Sequence, residues 1–119
     1  MRHLRKNKKV GRPTDQRLAL LKYQAKSLIQ HGEITTSRAK AKALAMFVQK
    51  LVTWAKKGDF NAMREIRKQI DDRRVIFKLT NDIVPKLKNR TGGEVSVIPA
   101  GQRRGDGTQL AVVTFNTNE

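Results

Sequence analysis

The chain has 119 residues, about the length of one domain, and carries 26 Lys and Arg against 10 Asp and Glu, a formal charge of +16. It has no Cys, and its two histidines, His3 and His31, offer no H-x-x-x-H spacing. Disulfides, thiolate nucleophiles and Cys-ligated zinc are excluded, a metalloenzyme is disfavoured, and no cofactor is expected.

No apolar run approaches the roughly 20 residues that span a bilayer, and the basic start lacks the apolar stretch of a secretory signal, so no membrane insertion is expected. So much like charge on a small body opposes folding by self-repulsion, and it implies a polyanionic partner. The charge is uneven. Residues 1–58 hold 15 Lys and Arg against Asp15 and Glu33, a net of +13, whereas residues 59–119 hold 11 against eight acids, a net of +3.

Residues 1–13 contain Arg2, Arg5, Lys6, Lys8, Lys9 and Arg12 with no acid, and only Leu4 and Val10 as sizeable apolar groups after Met1. Such a segment cannot order itself by burial. It reads as a basic arm that orders on nucleic acid, with a merely solvated tail as the alternative. After Pro13, Thr14 offers a capping hydroxyl and Asp15 an acid in the first turn. Leu18, Leu21, Ala25, Leu28 and Ile29 then line one face of a helix ending near Gln30, stopped by His31-Gly32. Arg17, Lys22 and Lys26 flank that face.

Glu33-Ile34-Thr35-Thr36 predicts a short strand, and Ser37 a cap for the next helix. Leu44, Phe47, Val48, Leu51, Val52 and Ala55 form the strongest apolar stripe of the chain, about 140° wide at 100° per residue, with Lys42, Lys50 and Lys57 opposite. Lys56-Lys57-Gly58 suits a helix end. Asp59 caps a third helix with Phe60, Met63, Ile66 and Ile70 inward. Asp71 or Asp72 starts a fourth with Val75, Ile76, Leu79 and Ile83 inward, broken or kinked near Val84 by Pro85. Gly92-Gly93 is a flexible break. The β-rich runs around Val95–Pro99 and Leu110–Phe115 predict an antiparallel hairpin with a long Gly-rich loop.

Two places suit phosphate. The first helical turn after Thr36-Ser37 combines free N–H groups with Arg38, Lys40 and Lys42, cations whose unfavourable interaction with the helix dipole an anion would offset. In the hairpin loop, Gly101, Gly105 and Gly107 flank Arg103 and Arg104 and let the backbone approach a phosphate closely, and the two guanidiniums can fork onto phosphate oxygens, with a mobile tip of solvated arginines as the alternative. Asp106 reads as a turn former or ion-pair partner of Arg103. No nucleotide-binding Gly motif, catalytic triad or paired-carboxylate arrangement is present, and Trp54, Tyr23 and four Phe do not make a base-stacking strand. Phe47 and Phe60 read as core. Rival readings are a nucleoid DNA-binding protein, a nuclease or RNA-modifying enzyme, and a membrane-surface protein. They lack, respectively, a dimerisation seam, a carboxylate cluster or cofactor loop, and a bulky aromatic helix face.

Met1-Arg2-His3, Gly11-Arg12, then Arg17, Ala19, Leu20 and Leu21 resemble the start of the bacterial-type large-subunit ribosomal protein seventeen family. Leu28, His31, Ile34 and Thr36 are similar to its following turn and strand. Ala41-Lys42, Lys50-Leu51-Val52-Thr53 and Ala55-Lys56 are similar to its second helix. Gly92-Gly93, Gly101-x-Arg103-x-Gly105-Asp106 and Leu110-Ala111 resemble its terminal hairpin. Gln16, Ala43, Ala45 and Ser96 depart from the usual His, Glu, Arg and Arg.

The resemblance implies a compact α+β domain. On the elements above, that is about four helices packed on a small sheet made by the short strand and the C-terminal hairpin. The divisions are the arm over 1–13, one domain over 14–116 and a frayed tail over 117–119. It implies no enzyme activity and no small-molecule substrate. It implies a structural constituent of the large ribosomal subunit in the cytoplasm, or in an organelle ribosome, near the peptide exit tunnel. Its partners are large-subunit ribosomal RNA and neighbouring large-subunit proteins. The candidate RNA-binding residues are Arg2, His3, Arg5, Lys6, Lys8, Lys9, Arg12, Arg17, Thr36, Ser37, Lys40, Lys42, Arg103 and Arg104.

Overall fold

The computed structural model describes residues 14–87 and 92–117. The expected arm over 1–13, with seven of the candidate residues, lies outside the described residues, as do the last two residues of the expected tail. The chain runs α1 (Thr14–His31), β1 (Glu33–Ser37), α2 (Arg38–Lys57), α3 (Phe60–Gln69), α4 (Arg73–Lys78), a π-helical turn (Leu79–Ile83), α5 (Val84–Lys86), β2 (Val95–Gln102) and β3 (Gln109–Phe115).

The strongest apolar stripe produces the central helix. Leu44, Val48, Leu51 and Val52 of α2 are fully buried, and they meet Ala25, Leu28 and Ile29 of α1, Ile66 of α3, and Val75, Leu79 and Leu87 from the segments after it. Each such aliphatic side chain contributes on the order of 1.5–3 kcal/mol by leaving water. The strands form an antiparallel sheet in the order β1-β3-β2. β3 is central, and its alternation places Ala111, Val113 and Phe115 on the core.

Local signals end these helices where the chemistry requires. Ser37 Oγ accepts from the Lys40 N–H at 3.4 Å, Asp59 Oδ1 from the Ala62 N–H at 2.7 Å, and Asp72 Oδ1 from the Arg74 N–H at 3.0 Å. Gly58 closes α2 at φ 68°, a left-handed conformation open to it because it lacks Cβ, and its N–H reaches the Trp54 carbonyl at 3.1 Å. Pro85 does not break the fourth helical segment. A proline in a regular helix lacks the N–H for the carbonyl four residues back and its ring presses on that carbonyl. Here the helix widens just before it, and the Val84 N–H bonds the Leu79 carbonyl five residues back. Leu79 and Ile83 both stay buried through the wide turn.

Two expected core residues are on the surface. Phe60 is 74% exposed. At 100° per residue it falls about 120° from Ile66 around α3, off the face that Ala62, Ile66 and Ile70 bury, and Arg64 lies over its ring at 5.7 Å. Leu18 is 41% exposed, because it lines an open groove between α1 and α2 rather than the core.

Candidate nucleic-acid interface

Among the described residues, most cations of the basic half stand outside ion pairs. Arg38, Lys42, Lys50 and Lys57 are exposed, Lys22, Lys26 and Lys40 half-buried, and both acids of this half, Asp15 and Glu33, face solvent. Among the described residues four ion pairs form: Lys56–Glu94, Lys68–Glu65, Lys86–Asp82 and Arg103–Asp106. Lys56 is the only cation of the basic half in that set.

The sheet register brings the two expected phosphate sites to one end of the molecule. Ser37, which caps α2, pairs with Leu110, one residue into β3 and just beyond the Gly-rich loop. Arg38 Nη1 donates to Gln109 Oε1 at 3.1 Å across 71 residues of sequence. The first turn of α2 and the base of the Arg103-Arg104 loop therefore lie side by side. The two hydroxyls have structural tasks: Thr36 Oγ1 accepts from Gln24 Nε2 at 3.1 Å, holding β1 to α1, and Ser37 caps.

The loop is shaped by its own polar groups. Pro99 lies on β2, an edge strand where its missing N–H is tolerated, and the β2–β3 register shifts between Pro99 and Gln102. The Arg103 N–H bonds the Thr108 carbonyl at 2.7 Å, and the Gly107 N–H bonds the Arg103 carbonyl at 3.1 Å. Asp106 accepts from Arg103 Nη2 at 2.8 Å and from the Thr108 N–H at 3.0 Å. The Arg103 hydrogen bond, helped by the Thr108 backbone and hydroxyl, holds the Asp106 carboxyl well below the usual carboxylate range. Asp106 is thus both turn former and partner of Arg103. The two arginines are not equivalent: Arg103 is drawn back across the loop, whereas Arg104 is exposed and makes no hydrogen bond among the described residues.

Arg17, expected to flank the apolar face of α1, is 93% buried, at 7% exposure, and among the described residues its Nη1 has no hydrogen-bond partner. It lines the α1–α2 groove, a cavity of about 300 Å³ whose walls include Leu18, Met46, Phe47 and Trp54.

The role of Glu94 is not legible in the sequence. It precedes β2, is 3% exposed, and accepts hydrogen bonds from Lys56 Nζ and Gln49 Nε2 of α2. Burial pushes its carboxyl up, but those hydrogen bonds, its own backbone and the Lys56 charge outweigh that, and it is held below the ordinary value. Beside it, Asn116 Nδ2 donates to the Gly93 carbonyl at 2.6 Å and Ser96 Oγ to Asn116 Oδ1 at 2.7 Å. The foot of the hairpin is thereby clamped to the central helix. No local pattern predicts this; Glu94 and its two α2 partners are about 40 residues apart.

Residues 20–116 match the family model described as Ribosomal protein L17. The chain belongs to the ribosomal protein L17 family. It is 45% identical over 114 residues to large ribosomal subunit protein bL17 of Thermus thermophilus, covering 95% of this chain and 97% of that one. It is 40% identical over 116 residues to the bL17 of Coprothermobacter proteolyticus, covering 98% and 99%. The bL17 of Geotalea daltonii is 41% identical over 113 residues, which are 95% of this chain and 62% of that longer protein. Membership makes this L17 chain a structural ribosomal protein and not an enzyme. Among the described residues, no helix is long and apolar enough to cross a membrane.

Proposed function

We propose that this ribosomal protein L17 chain binds large-subunit ribosomal RNA through its basic half and its Gly-rich loop, packing beside neighbouring subunit proteins near the peptide exit tunnel in cytoplasmic ribosomes. The observation that carries the reading is the surface of residues 14–58, where among the described residues Lys56 is the only ion-paired cation. An unneutralised basic face next to an exposed Arg104 suits a phosphate backbone. Arg104 and the first turn of α2 grip at one end, and the arm over 1–13 extends the contact. The family resemblance is what supports a place near the exit tunnel.

Sedimentation tests the assembly directly: the chain should co-migrate with large subunits after a high-salt wash. With about six phosphates contacted, log K for the isolated chain should fall against log salt with a slope of roughly −4 to −5. A nearly flat slope, or release from subunits into the top fractions, would refute the reading. Because the chain has no native Cys, a cleavage reagent on Arg104→Cys maps its RNA neighbours, and cuts should fall around the tunnel exit.

A further inference from the structure

Beyond backbone contacts, we propose that the groove between α1 and α2 is a nucleotide-reading subsite that takes one unstacked RNA base, with Arg17 as its hydrogen-bonding group. This inference rests on the RNA-binding reading and deepens it. Three independent features meet in the groove. The first is a desolvated donor without an acceptor: Arg17 is 93% buried and among the described residues its Nη1 has no partner. A buried guanidinium N–H left unpaired is costly, and that cost disappears when a ligand supplies the acceptor. The second is the wall. Phe47, Trp54, Leu18 and Met46 line the cavity, and Leu18 and Met46 are 41% and 50% exposed at its edge. These are flat or adaptable apolar surfaces of the kind that hold a base by stacking and dispersion. The third is charge: Lys50, exposed and also lining the groove, is a cation for the phosphate of a bound nucleotide, and among the described residues no acid lines the cavity.

The dimensions agree. About 300 Å³ lies at the small end of ligand clefts, room for one base and not for a duplex. Arg17 is also only five residues beyond Arg12, the last cation of the basic arm. An arginine fork pairs best with a base edge carrying a carbonyl and a ring nitrogen together, as guanine does with O6 and N7, so guanine is the expected occupant. An acidic, apolar protein segment offers similar groups. The charge of +16 favours RNA, and the test separates the two.

Trp54 is the only tryptophan and lines the groove, which supplies the readout. The full chain is titrated at one salt concentration with a labelled single-stranded RNA octamer containing one guanine, while label anisotropy reports binding and Trp54 fluorescence reports groove occupancy. The expected result is saturable quenching of Trp54 in step with the anisotropy. Replacing the guanine by an abasic site should abolish the quenching and weaken binding between about fivefold and a hundredfold. Arg17→Lys, which keeps the charge and loses the fork, should weaken the guanine octamer about tenfold and leave the abasic one unchanged. Met46→Ala, at a half-exposed position, should reduce the quenching without unfolding the chain, which covers the case in which Arg17→Lys destabilises it. Anisotropy change without Trp54 quenching overturns the subsite and leaves the RNA-binding reading standing. Absence of any anisotropy change overturns both. Quenching by a Glu- and Leu-rich peptide that RNA cannot displace also overturns it, and assigns the groove to a protein partner.

Discussion

Removing the Glu94 carboxylate by Glu94→Ala should destabilise the chain far more than any surface change. The carboxylate is 4% exposed and receives hydrogen bonds from Lys56 and Gln49, with Lys56 itself 21% exposed. Breaking a fully buried pair by deleting one partner costs about 3–5 kcal/mol, because the other charge is stranded. Water reaches part of Lys56, which lowers the expectation to about 2–3 kcal/mol. For a domain of this size the urea midpoint should then fall by about 1.5 M at pH 7. Glu94→Gln, which keeps an acceptor and loses the charge, should fall in between.

The pH dependence checks the cause. Burial raises the Glu94 carboxyl, and the hydrogen bonds and the Lys56 charge lower it by more, so its folded value is below the ordinary one. Its contribution is therefore present above the unfolded value of about 4.3 and is lost as pH falls through the folded value. Wild-type and Glu94→Ala stabilities should converge in acid. A variant within about 0.5 kcal/mol of wild type at pH 7, or a difference that is the same at pH 3 and pH 7, would refute the clamp.

Arg104→Ala should weaken RNA binding about tenfold with an unchanged melting temperature, and Arg104→Lys should recover only part of that, as competition binding at fixed salt will show. Arg103→Ala should weaken binding less, since its guanidinium already serves Asp106; a larger loss than for Arg104→Ala would reverse the assignment. Deleting residues 1–12 should cost at least tenfold in RNA affinity while leaving the thermal midpoint near wild type, and an unaltered affinity would reduce the arm to a solvated tail. Asp59→Ala removes the 2.7 Å cap on α3 and should cost about 1 kcal/mol in a denaturant titration, with no effect on RNA affinity.

The secondary structure and the class of partner were legible in the sequence because both depend on local or summed properties. The stripe from Leu44 to Ala55 has the helical period, Ser37, Asp59 and Asp72 are cap residues in the right places, and the alternation after Gly93 has the period of a strand. The net of +13 on residues 1–58 points to a polyanion whatever the fold.

Other features were decided by what each residue meets across the fold. Phe60 is apolar and close in sequence to the core face of α3, yet its angle around the helix puts it in solvent. Pro85 carries a helix-breaking signal, but buried Leu79 and Ile83 hold the chain helical through a widened turn. Arg103 and Arg104 are neighbours of the same chemistry, and only the folded loop gives one of them to Asp106 and the other to solvent. Glu94 and Arg17 look like surface charges until the hairpin foot packs on α2 and α1 packs beside it. Burial of a charge depends on distant partners and on the space left between elements, and neither is written in the residues on each side of it.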